Sequence, residues 1–179
     1  MAEEKKEPWL NYLALTTVIL AVCATLSTFK GGSYSTRSVM RQSQAANNWA
    51  YYQAKSLKGY LYEIQKEILE LDLQERGDTL PPAILAAHKE KIDSYGKRIA
   101  KYDAEKADIM KDAKKSEDER DDAQRHSQIF GIAVIFLQIA ILLSSIAALL
   151  KKKMIWYLGL VMGIGGVVYF ANGFLLFMD

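Results

Sequence analysis

The sequence has one cysteine, three prolines and two histidines in 179 residues. A lone Cys23 excludes an intrachain disulfide framework and a CxxC metal site. His88 and His126 are far apart, which leaves little for metal or triad chemistry. Charge is absent from three long stretches, residues 9–29, 129–150 and 154–178. The chain averages 50% hydrophobic and 25% charged, like an ordinary soluble domain. The average misleads because the two chemistries are segregated, and a soluble globule is excluded.

At 1.5 Å per residue, the run 9–29 spans roughly 31 Å, the thickness of a hydrocarbon core. All three runs are predicted to be transmembrane helices, with residues 1–8 as an N-terminal tail. A signal peptide is the rival for the first run, since Ala21 and Ala24 imitate a small-residue cleavage site. The mixed charge of MAEEKKEPW and the length of the run favour a retained helix. Trp9, Tyr12 and Trp156 sit where interfacial aromatics belong. Lys151, Lys152 and Lys153 form the whole connection between the second and third runs. Short basic loops stay cytoplasmic, which places the N-terminus inside and the central block and C-terminus outside. Lys30, Arg37, Arg41, Lys114, Lys115, Arg120 and Arg125 flank the other side, but in a long, acid-rich loop where that rule is weak.

Residues 30–128 hold 18 of the 23 basic and 17 of the 21 acidic residues. No basic face without acids results, so nucleic acid is not an expected partner. Apolar and small residues recur at 3-4 spacing, the condition for a coiled-coil seam. In the first arm they are Ala50, Ala54, Leu57, Leu61, Ile64, Ile68 and Leu71. In the second they are Leu85, His88, Ile92, Tyr95, Ile99 and Tyr102, then weakly Ile109 and Ala113. Gly77 reads as a C′ cap, Asp78 and Thr79 as turn formers, and Pro81-Pro82 ends the helix. The prediction is an antiparallel coiled-coil hairpin with arms 33–76 and 83–128, a turn at 77–82 and a hinge at Gly31-Gly32. Paired positions add to roughly 160, which sets Ile64 opposite Tyr95 and Leu71 opposite His88. The same register brings Arg37 and Arg41 to the acidic run 117–122, with Asp118 and Asp122 as expected stalk-base partners.

No nucleophile–base–orienter set can be assembled, so no catalytic, cofactor or metal site is expected. His88 reads as a packed seam residue and His126 as a solvated one at the membrane surface. Cys23, in an apolar helix without a polar activator, reads as unreactive. The acidic run 117–122 reads as a salt-bridged face, with divalent-cation binding the alternative. Gly159, Gly163 and Gly166 form a face that allows close helix approach, either to a second copy or to Ala133, Ala140 and Ala147 of the same chain. Gln138 and Asn172 are expected to hydrogen-bond between helices.

The string Phe29-Lys30-Gly31-Gly32-Ser33-Tyr34-Ser35-Thr36-Arg37 and the string Asn48-Trp49-Ala50-Tyr51-Tyr52-Gln53-Ala54-Lys55-Ser56 resemble a bacterial membrane family. That family is domain of unknown function 4337. The three-helix layout is similar too. Ser33 stands where the family commonly has a third hinge glycine. The resemblance implies a bacterial inner-membrane protein and carries over no catalytic residue.

The expectation is an all-α, non-enzymatic membrane protein that assembles with copies of itself into a scaffold, with membrane lipid as its other partner. Trp49, Tyr52 and Tyr60 are the predicted packing stripe between stalks, because a two-helix hairpin cannot cover them. An oligomeric pore and a partner-binding adaptor using the tip are the alternatives.

Overall fold

The computed structural model describes residues 8–178. Among them all regular structure is helical: α1 (Pro8–Arg76), α2 (Pro82–Leu150) and α3 (Lys153–Leu175). Each helix holds a segment long and apolar enough to cross a membrane. Proline explains the start of α2: Pro82 opens it, where a missing N–H costs nothing. The described residues form two compact units, one of residues 8–40 with 119–178, the other of residues 41–118.

In the first unit, one face of α2 carries Phe130, Ala133, Leu137, Ala140, Ser144 and Ala147, all buried. Their 3-4 spacing makes a continuous stripe, and the small residues let a neighbouring backbone come close. The glycines of α3 answer it. A Cβ at Gly159 would meet the Ala140 carbonyl oxygen at 3.2 Å, and one at Gly166 would meet Leu137 Cγ at 2.7 Å. On the α1 side, Leu20 lies 3.0 Å from where a Gly163 Cβ would stand. Leu20 and Ala24 close a core with Leu137 and Ala140. A second core joins Trp9, Leu13, Ala147 and Trp156. The two tryptophans are therefore buried against each other, rings 6.0 Å apart, while Tyr12 stays exposed.

The glycine hinge does not form. Helix α1 continues through Gly31 and Gly32. Gly31 serves close approach instead: an added Cβ would stand 3.1 Å from Phe130 Cβ, and Ser127 Oγ donates to the Gly31 carbonyl at 3.1 Å.

In the second unit, the turn closes with Gly77 N–H donating to Leu73 O at 2.9 Å and Leu80 N–H to Arg76 O at 3.1 Å. Gly77 is not in the left-handed conformation of a C′ cap. It is needed because a Cβ there would run into the Leu73 carbonyl.

Across the arms of this unit, Lys55 reaches Glu105, Arg98 reaches the Tyr62 hydroxyl, and Asp72 lies by His88. These pairs add to roughly 160, the antiparallel register read from the sequence. The face of α1 differs from that reading. Gly59 is buried, and Tyr52, Ser56, Tyr62, Leu69 and Leu73 are half-buried on the inner side. Leu57, Leu61, Ile64, Ile68 and Leu71 are 51–62% exposed. On α2 the expected residues, from Leu85 to Tyr102, do face inward. Large rings explain the choice. Tyr62 sits between Tyr95 and Tyr102, at 5.5 and 5.9 Å, and buries more surface there than an isoleucine would.

Candidate functional site

In the second unit, the exposed leucines and isoleucines of α1 form one row. Ala50, Ala54, Leu57, Leu61, Ile64, Ile68 and Leu71 keep alternating 3- and 4-residue steps over three heptads, and all are exposed. A 3.5-residue repeat stays on one side of a helix, so the row is a seam without an occupant in its own chain.

The inner side is held by polar and aromatic contacts. Lys55 Nζ donates to Glu105 Oε2 at 2.5 Å. That bond, helped by Tyr51, raises the lysine above its ordinary pKa, and the same bond lowers Glu105 below the carboxylate range. Arg98 lies over the Tyr62 ring, 5.3 Å from its centroid. Lys106 covers Tyr60 at 5.9 Å and bonds Asp103, which raises its pKa.

The three residues expected to pack stalks together divide. Trp49 is half-buried, donates Nε1–H to Glu117 at 2.8 Å and meets Tyr52 edge-on at 5.6 Å. Tyr60 remains exposed. Gly159, Gly163 and Gly166 are buried within the chain. Arg37 is exposed and in no ion pair among the described residues. Arg41 donates to Gln44 at 2.8 Å, Asp118 is exposed, and Asp122 lies 4.0 Å from His126 Nε2. Among the described residues no three His, Cys, Asp or Glu side chains converge as metal ligands would.

His126 is not solvated. Its ring stacks on Tyr34 at 4.4 Å, and Nδ1 lies 2.7 Å from the Gly173 carbonyl. A carbonyl only accepts, so Nδ1 carries the proton. The register read for the arms also pairs 34 with 126, a signal the sequence reading left unused. Asn172 bonds locally, not between helices. Its amide donates to Met178 O at 3.2 Å and accepts from Met178 N–H at 2.9 Å. Leu176 above it takes the left-handed cap, which folds the chain end back over α3. Gln138 lies on the exposed side of α2, and its side chain makes no hydrogen bond among the described residues.

No curated protein and no solved structure matches the chain. A family model, described as Domain of unknown function (DUF4337), matches residues 9–176. With nearly its whole length inside that match, and with the motif strings at 29–37 and 48–56 within it, the chain belongs to the DUF4337 family.

Proposed function

We propose that the protein is a non-enzymatic, multi-pass protein of the bacterial inner membrane that assembles with copies of itself through its helical hairpin. The observation that carries this reading is the unoccupied aliphatic row on α1. Covering a half-exposed Leu or Ile returns about 1 kcal/mol, so five of them reward a partner substantially. A second copy is the fitting occupant. Every copy carries the same row, and a heptad seam is complementary to itself. The hairpin would then be a coiled coil on its outer side, with a tyrosine-rich, less regular inner side.

Gln138 supports the same reading inside the membrane. It lies beside exposed Ile135, Ile139 and Leu142 in a charge-free segment. A primary amide facing hydrocarbon gains by bonding its counterpart on another copy. A pore is less favoured, because Asn172 is spent on Met178 and the Thr16, Thr17, Thr25 and Thr28 hydroxyls bond backbone carbonyls of their own helix. The orientation follows the short basic connection at 151–153: it and the N-terminus are cytoplasmic, and the hairpin and C-terminus are periplasmic.

A cysteine at Ile64, in the Cys23→Ala background, tests the interface in membranes. It should crosslink to its own counterpart on a second chain, while a cysteine at Tyr62 should not. Crosslinking at 62 but not at 64 would refute the proposed face.

A further inference from the structure

A cleft of about 590 Å³ opens between the start of the charge-free part of α2 and the end of α3. Its lining changes character along its length. Arg125 and Gln128 line it where the charged part of α2 ends, Ile129 and Ile132 where the charge-free run begins, and Tyr169 from α3. These α2 residues follow 3-4 spacing, so they share one face, with charge ending where the apolar run begins. The cleft is built rather than incidental. Tyr169 is fixed by stacking on Phe136 at 5.5 Å. Asn172, itself buried, clamps Met178 into the wall through two hydrogen bonds.

The polar end has a cation to offer. Arg120 bonds Asp121, and Asp122 lies towards His126. Arg125 is exposed and in no ion pair among the described residues, although its charge helps Arg120 lower the Asp121 pKa. A guanidinium and an amide at the mouth of an apolar slot match a phosphodiester joined to an acyl chain.

We infer that this cleft is a binding site for one phospholipid, gripped at its phosphodiester by Arg125 and Gln128 with an acyl chain along Ile129, Ile132 and Tyr169. Arginine supplies a planar, bidentate donor pair for phosphate oxygens. Ile129 and Ile132 give the chain an apolar floor at the depth where the bilayer's own hydrocarbon begins. The bound lipid fills a gap between α2 and α3 that their side chains leave open.

The inference rests on the membrane-spanning reading, and the two can fail separately. Full-length protein in mild detergent is titrated with phosphatidylglycerol and followed by native mass spectrometry. Diacylglycerol, with the same tails and no phosphate, and glycerol phosphate, with no tails, are the comparison probes. One phosphatidylglycerol per chain should bind ahead of further lipids, and neither comparison probe should match it. Arg125→Gln should weaken that first step about tenfold. Ile132→Trp should abolish it by filling the slot, with helix content unchanged in both variants. Equal binding of diacylglycerol, equal binding of glycerol phosphate, or an unaltered Arg125→Gln titration would each overturn the site. Release of the wild-type chain from membranes by alkaline carbonate would overturn the spanning reading and the site with it.

Discussion

Tyr62, not Ile64, meets Tyr95 across the arms of the second unit, with ring centroids 5.5 Å apart. The aliphatic row is thereby turned outward, and the stability of the unit should depend on rings more than on isoleucine. Tyr62→Ala removes contacts to Tyr95, Tyr102 and Arg98 and should cost about 2–3 kcal/mol. Ile64→Ala should cost under about 1 kcal/mol in a chain kept monomeric. Thermal unfolding of both variants in dilute detergent checks the order.

The Lys55–Glu105 pair gives a pH dependence. Glu105 has its pKa lowered in the folded chain, so its contribution is present above the carboxylate's ordinary 4.5 and is lost as pH falls through the lower folded value. Lys55 has its pKa raised, so its contribution is full below 10.5 and is lost as pH rises through the higher folded value. The pair should therefore hold across the whole interval between those two ordinary values. Carboxyl carbon chemical shifts should show Glu105 titrating below 4.5 in wild type and moving back up in Lys55→Met.

Neighbouring glycines on α3 should behave oppositely. An added Cβ at Gly166 meets Leu137 Cγ at 2.7 Å and Leu137 backbone nitrogen at 3.0 Å, so Gly166→Ala should destabilise by about 1–3 kcal/mol. At Gly165 the nearest atom is Phe136 Cδ1 at an ordinary 3.5 Å. Gly165→Ala should be neutral or slightly stabilising through helix propensity. Melting temperatures of the two variants in detergent separate these cases.

His126→Phe keeps a ring against Tyr34 but loses the bond to Gly173 O, at a cost of about 1 kcal/mol. Amide exchange should quicken in the last turn of α3 and not at its start.

The fold was largely legible because its signals are long. Three charge-free runs, one Gly77–Pro82 break and a register near 160 follow directly from residue order. The face of α1 was not. Heptad reading ranks aliphatic rows first, while Tyr62, Gly59 and Lys55 win the inner side through ring area and a close charged bond. The Gly31-Gly32 hinge was misread for a related reason: glycine permits bending, but here it permits Phe130 to come near. His126 looked solvated because its partners, Tyr34 and the Gly173 carbonyl, are remote in sequence.

Self-association through the outward row of α1 sets the mass of the particle. Wild-type protein extracted from native membranes into mild detergent or lipid nanodiscs should weigh an integral multiple of one chain, two or more. Leu57→Gln with Leu61→Gln, Ile64→Gln and Ile68→Gln should keep its helix content and fall to one chain. A wild type that runs as a single chain under both conditions, or a quadruple variant that retains the wild-type mass, would rule out assembly through this row.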